Sequence, residues 1–261
     1  MINVRLIIAV YKNIPFLQKV LDSIENQTYK KFDVAIVEDG NFPAMQAYIA
    51  STNYTFPILH YTQEDNGFRK NRILNVALRE ATQELLLFID GDCILHPKFI
   101  ENYVKFYDPK VVLFAKRVDL DQKTAQLLLT SKQTNPSIWS MLKNKTKRIE
   151  DGLYLPFKPV KSTDRPTLLG CNMGIPLSAL KEINGFDEDF EHAGYGEDCD
   201  IEWRLQKAGY AFKNLKFHVI QYHLYHERPD REDETALSRN LFQQKKKEGF
   251  IACKRGMVSL H

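Results

Sequence analysis

In "LLLFIDGDCILHPKFI", which begins at Leu85, five apolar residues run into Asp90-Gly91-Asp92 before the chain turns apolar again. Two carboxylates one residue apart at the end of a buried strand are hard oxygen donors. Such pairs suit Mg²⁺ or Mn²⁺, and a cation between them could grip a diphosphate. Asp-Gly is also an ordinary turn signal; the second carboxylate, directly after the buried run, favours the metal. "QEDNGFRKNRILNVAL" supplies the counter-charge, with Arg69, Lys70 and Arg72 at the start of a helix whose N–H groups also favour anions. Cations there oppose the helix dipole, so an anion site competes with a merely solvated basic face. "GYGEDCDIEWRL" sets Glu197 and Asp198 at a helix start after a glycine-rich turn. Acidic residues cap helices in just this way, Asp200 and Glu202 included. The alternative is that one of the adjacent pair is a general base, with the glycines letting backbone approach a ligand. "VIQYHLYHERP" adds His218, His223 and His226, structural residues or a further metal ligand.

The elements that must hold these groups alternate strand and helix. "VRLIIAV" and "FDVAIVEDG" are continuous apolar runs, as expected for strands covered on both faces. "FPILHY" is a shorter third strand and "ELLLFIDGD" the fourth. A helix follows Asn13 and Pro15, and Leu74, Ala77, Leu78 and Ala81 mark another that begins near Phe68 or Arg69. This is the pattern of βαβ units in a parallel sheet, whose ligands sit beyond the carboxyl ends of the strands. Three such ends carry polar residues: Tyr11 and Lys12, Glu38 and Asp39, Asp90 and Asp92. From about Asp119 to Asp164 the periodicity dissolves into short helices and loops, and the tail from Arg228 is charged and helical.

Composition narrows the class. The 261 residues are 44% hydrophobic and 26% charged, which are globular values, and a net charge of +3 does not point to nucleic acid. No apolar run approaches the roughly 20 residues of a membrane span. "MINVRLIIAV" reads as a first strand and not as a signal peptide. Four scattered cysteines without a CxxC pair suggest a reduced protein. The expectation is a soluble, cytoplasmic enzyme or ligand binder. There is no G-x-G-x-x-G after the first strand and no P-loop, so a bound phosphate must be met by other means.

In order, "LIIAVYKN", "VEDG", "GFRKNRILNVAL", "FIDGDCILHPKFI", "LLGCNMGI", "NGFDEDF", "GYGEDCDIEWRL" and "YHLYH" resemble a family 2 glycosyltransferase of GT-A fold. The C-terminal half is similar to the group of β-1,4-galactosyltransferases and bacterial chondroitin polymerases. The resemblance implies an α/β fold with a mostly parallel central sheet flanked by helices. It implies one domain over residues 1–261, with 1–95 the nucleotide-sugar half and 96–261 the acceptor half and C-terminal tail. Carried over by position, Ala9, Val10, Tyr11 and Asp39 would meet the nucleotide base, and Phe68, Lys70, Arg72 and Asp90 the diphosphate. Asp90, Asp92 and one of His223 and His226 would hold Mn²⁺ or Mg²⁺. Asp198 would be the catalytic base, and Glu197, Asn172 and Tyr195 would contact the acceptor. The chain departs from the family at Ala9-Val10-Tyr11-Lys12, where a Pro-Thr-Tyr-Asn-like turn is common. It departs again at Tyr195-Gly196, where many relatives have a Trp before the Glu-Asp pair. The implied reaction is inverting transfer from a nucleotide-sugar, a UDP-sugar, to a glycan or lipid-linked glycan. Contact with the inner membrane face would be peripheral at most, near Lys145, Lys147 and Arg148.

Other classes fit less well. A haloacid-type phosphatase wants Thr or Val where Ile94 stands, and places its aspartates near the N-terminus. A sugar-nucleotide pyrophosphorylase needs a Gly-rich basic loop that "AVYKNIPF" does not provide. A binding module with a dead site is the non-enzymatic alternative, which the presence of Asp198 opposes.

Overall fold

The computed structural model describes residues 2–144, 146–227 and 230–260, so the expectations at Lys145 and Arg228 lie outside the described residues. β1 (Val4–Val10) leads into α1 (Ile14–Glu25), which Asn13 caps by accepting from the Phe16 N–H. There follow β2 (Phe32–Glu38), α2 (Pro43–Ser51), β3 (Ile58–Thr62), α3 (Lys70–Arg79) and β4 (Leu85–Asp90). Then come β5 (Cys93–Leu95), α4 (Phe99–Lys105), β6 (Val111–Phe114) and β7 (Val118–Asp119). The irregular stretch holds α5 (Gln122–Thr130), α6 (Ile138–Lys143), a 3₁₀ turn at Ile149–Gly152 and β8 (Lys161–Ser162). β9 (Met173–Pro176), α7 (Leu177–Glu182), α8 (Glu197–Lys207), β10 (Ala211–Asn214), β11 (Gln221–His223) and α9 (Glu232–Glu248) complete the chain. Among the described residues, no helix is long and apolar enough to cross a membrane.

The main sheet has the order β3-β2-β1-β4-β9-β6-β10-β8. Its strands are parallel except β9, which runs antiparallel between β4 and β6, and β8 at the edge. The unbroken apolar runs are explained by two cores. Leu6 and Ile8 of β1 pack with Leu17 and Leu21 of α1, whereas Ile7 packs with Ile73 and Leu78 of α3 on the other face. A second, three-stranded sheet has the order β5-β11-β7 and covers its own small core around Ile94, Val118 and Tyr222.

The turn before β9 is locked to α4. Asn172 is fully buried; its amide oxygen accepts from the Tyr103 hydroxyl at 2.8 Å and its amide nitrogen donates to the Lys116 carbonyl at 2.8 Å. Removing the hydroxyl leaves a buried acceptor unpaired, a loss of about 1–3 kcal/mol. Tyr103→Phe is therefore expected to lower the urea midpoint by that amount of stability with an unchanged denaturant slope.

Candidate active site

Because β1, β2 and β4 run parallel, with Val10 opposite Glu38 and Ala9 opposite Asp90, their carboxyl ends lie side by side. They open into a cavity of about 700 Å³. Ala9, Val10, Tyr11, Asp39, Phe68, Lys70, Asp90 and Asp92 all line it. Arg72 does not; it is exposed, and two residues beyond Lys70 it is turned about 200° around the helix. Arg69 also turns away, its guanidinium donating to the Glu64 carbonyl. Of the three cations expected at the start of α3, only Lys70 faces the cavity. The helix N-terminus is itself taken, since Asp39 accepts from the Arg69 N–H at 2.8 Å and from Gln63 Nε2 at 2.6 Å. Glu38 is fully buried against His60 Nε2 at 2.9 Å and the Phe42 N–H. At the mouth, Tyr11 is 54% exposed, and Lys12 donates to both its hydroxyl and Asp65. Arg231 and Glu234, around the start of α9, close the far side.

Lys70 and Asp90, on the cavity floor, begin a ladder of opposite charges that continues through Arg117 and Asp119, which are not among the lining residues. Lys70 Nζ lies 3.0 Å from Asp90 Oδ1. Burial works against its charge, but Asp90, Glu197 and Asp198 outweigh it and hold the ammonium above its ordinary range. Arg117 Nη1 stands 3.8 Å from Asp90 Oδ2, and its Nε lies 3.3 Å from Asp119 Oδ1. Arg117 also donates to Cys171 Sγ at 3.3 Å. Asp90, expected as a metal ligand, is paired with both of these cations.

Asp92, His223 and His226 form the one group among the described residues whose oxygen and nitrogen atoms could share an ion, all lying within 4.8 Å of one another. His223 Nε2 is 3.3 Å and His226 Nε2 3.2 Å from Asp92 Oδ2, so both histidines converge where one was expected. Burial pushes the Asp92 carboxyl up, but hydrogen bonds from His223 and His226 outweigh it and hold it well below the usual carboxylate range. One carboxylate oxygen and two imidazole nitrogens are a donor set that fits a divalent transition ion. His218 has a structural place, its Nε2 2.8 Å from the Lys158 carbonyl.

Glu197 and Asp198 open α8. Gly196 before them has φ +111°, and a Cβ there would meet the Phe190 ring at 2.7 Å, so it serves the helix entry and not the approach of a ligand. Burial and the neighbouring Asp198 push the Glu197 carboxyl up to about 7, against the pull of Lys70. Burial likewise raises Asp198, opposed by Lys70 and by the Gly170 N–H. Glu197 Oε2 and Asp198 Oδ1 are buried without a hydrogen-bond partner among the described residues. Gly170 makes room for the latter, because a Cβ there would sit 2.5 Å from Asp198 Oδ1. The next acids are structural. Asp200 pairs with buried Arg204 at 2.6 Å, and Glu202 accepts from the Leu168 N–H. Two further acceptor contacts, Asn172 and Tyr195, were expected from sequence. Asn172 is spent on Tyr103 and Lys116 inside the fold. Tyr195 packs its ring edge-on to Phe242, beneath Arg239 of α9. Arg117, Asp119 and Gly170 were not anticipated; the strand-end rule that found Asp90, applied to "VVLFAKRVD", points first to Lys116 and then to Arg117.

Residues 6–162 match the family described as glycosyl transferase family 2, and residues 158–227 match one described as the N-terminal domain of galactosyltransferase. The chain is 25% identical over 253 residues to a hyaluronan synthase of Pasteurella multocida, a match covering 90% of this chain and 25% of that protein. It is 22% identical over 225 residues to the validoxylamine A glucosyltransferase of Streptomyces hygroscopicus subsp. jinggangensis, covering 78% and 51%. Among solved structures, it is similar to the mannosyltransferase PcManGT of Pyrobaculum calidifontis in complex with GDP-Man and Mn²⁺. There the TM-score is 0.60 at 19% identity, covering 87% of this chain and 58% of that one. It is similar also to S. aureus TarS 1–349 in complex with UDP, with TM-score 0.65 at 16% identity, covering 93% and 65%. The chain thus spans well under two thirds of the curated relatives named here, and its fold is that of the GT-A glycosyltransferases.

A carboxyl raised from 4.5 to about 7 binds its proton more tightly in the folded chain than in the unfolded one, so its contribution to stability is lost as pH rises through that window. Glu197→Gln removes the titration. The variant should match the natural chain near pH 4 and exceed it by about 1–3 kcal/mol near pH 8 in urea denaturation.

Proposed function

The chain belongs to glycosyl transferase family 2, and from that premise we propose that it is an inverting, metal-dependent hexosyltransferase. The reaction moves a sugar from a nucleotide diphosphate donor to a hydroxyl of a glycan in surface polysaccharide synthesis. One observation carries this reading. The cavity at the strand ends is lined by Asp92 and His226 of the Asp92, His223, His226 group, and Lys70 at its floor pairs with Asp90 and feels the charge of Glu197 and Asp198.

The base and ribose of the donor would lie against Ala9, Val10, Tyr11 and Phe68, with Asp39 as acceptor. UDP and GDP-Man both occur in the similar structures; we take a UDP-sugar as the donor. Asp92, His223 and His226 would hold the divalent cation, and two imidazoles favour Mn²⁺ over the oxygen-preferring Mg²⁺. When bound, that cation supplies Lewis-acid stabilisation of the charge on the departing nucleoside diphosphate. Lys70 adds a fixed positive charge at the same floor, already oriented by Asp90.

Asp198 takes the proton of the acceptor hydroxyl while the oxygen attacks the anomeric carbon from the face opposite the leaving group. One bond forms as the glycosyl–phosphate bond breaks, so the product is inverted. A carboxylate lifted above its ordinary range is a better base at neutral pH, which suits the burial of Asp198. Glu197 would hold the acceptor sugar beside it. The acceptor is a glycan, in one form lipid-linked. Trp139, 77% exposed on α6, and the exposed Lys143 and Lys147 support peripheral contact with an anionic inner membrane face.

Asp198→Asn should lower kcat by about 10²–10⁴-fold and leave the Kd for UDP with Mn²⁺ unchanged within about twofold. Parallel thermal shifts with UDP and GDP, each with and without Mn²⁺, identify the nucleotide. Normal turnover by the variant would remove Asp198 from the mechanism. No metal-dependent shift with either nucleotide would overturn the donor-site reading.

A further inference from the structure

The small sheet sets three residues abreast. In its register His223, at the centre, pairs with Cys93 of β5 on one side and with Asp119 of β7 on the other. Both backbone edges of β7 are pinned at this point. Asp119 exchanges hydrogen bonds with Lys147, N–H to carbonyl at 3.3 and 3.1 Å, and the Leu120 N–H donates to the His223 carbonyl at 3.0 Å. A cross-strand pair fixed in this way puts its two side chains on the same face of the sheet.

The side chains then divide the imidazole between two carboxylates. His223 Nε2 lies 3.3 Å from Asp92 Oδ2, and Nδ1 of the same ring lies 3.7 Å from Asp119 Oδ1. Asp119 is outside the group of atoms that could share an ion, so it stands behind the histidine. His226 differs: its Nδ1 lies 2.9 Å from the Glu227 carbonyl, and the residue is 39% exposed where His223 is buried. Arg117 completes the arrangement, its Nε 3.3 Å from the same Asp119 oxygen and its Nη1 3.8 Å from Asp90.

A neutral imidazole that offers one nitrogen to a cation carries its proton on the other, and a carboxylate facing that second nitrogen fixes both tautomer and ring plane. We propose that Asp119 is a positioning residue of the cation site, holding His223 through Nδ1 so that Nε2 faces Asp92, with Arg117 holding Asp119 in turn. The inference rests on the reading of Asp92, His223 and His226 as a cation site. Asp119 lies outside the group that could share an ion, so its part in the site runs through the histidine.

The test is an electron paramagnetic resonance titration of free Mn²⁺ against the whole chain without nucleotide, paired with metal-free melting curves. Asp119→Asn should weaken Mn²⁺ binding about 10- to 100-fold. The metal-free melting temperature should change no more than for an ordinary surface substitution. Asp119→Glu, which keeps the anion, should recover part of the affinity. Mn²⁺ binding by Asp119→Asn equal to that of the natural chain overturns the proposal. So does a loss of affinity accompanied by a lower metal-free melting temperature that the Glu variant does not recover. A natural chain that binds no Mn²⁺ at all would overturn the cation-site reading itself.

Discussion

Five carboxylates, those of Asp90, Asp92, Asp119, Glu197 and Asp198, gather where the strands of two sheets end and α8 begins. In a site partly shielded from water, like charges at such separations repel strongly enough to neutralise some of the groups or force them apart. Lys70 and Arg117 keep them together. Each touches Asp90 from a different side; Lys70 reaches on toward the Glu-Asp pair and Arg117 toward Asp119. This requirement explains why α3 begins with a lysine against its own dipole, while Asp39 accepts from the N–H of Arg69 at that helix's entry. It also explains why an arginine stands just beyond the end of β6.

The central strands were legible because burial on both faces leaves no polar alternation to confuse them. "VRLIIAV" serves two cores at once, and its period carries no other meaning. The strand-end carboxylates were legible for the same reason, as the first polar residues after an apolar run. What escaped depends on pairing at long range. β7 is two residues long inside an aperiodic stretch, so only its register against His223 makes Asp119 a neighbour of the site. Asn172 shows the opposite failure. A polar residue in a loop reads as available, and nothing in "LLGCNMGI" tells that Tyr103 and Lys116 have already claimed both ends of its amide. The Arg72 assignment was avoidable, since helical geometry alone separates its direction from that of Lys70.

The two family matches meet at residues 158–162, and the expected division of roles falls after residue 95. The main sheet observes neither boundary. β9, from the later region, lies antiparallel between β4 and β6, and β10 pairs with β6. The small sheet likewise takes β5, β7 and β11 from well-separated parts of the chain. The two regions are thus built on shared strands, held together by backbone hydrogen bonds of one sheet.

The position of β11 at the centre of its sheet has a consequence for the order of assembly. β1 to β4 are sequential and parallel, joined by helices, and can collapse as a local unit once the first part of the chain is available. β5 and β7 find no mutual partner in that interval, because the strand that belongs between them comes near the end. Until it arrives, two short edges carry unpaired backbone groups beside Ile94 and Val118. The strand-end edge of β1, β2 and β4 can therefore take shape early, while the Asp92–His223 contact matures last. A nascent chain would acquire its parallel strands before its small sheet, and would be most exposed to mispairing in the interval between them.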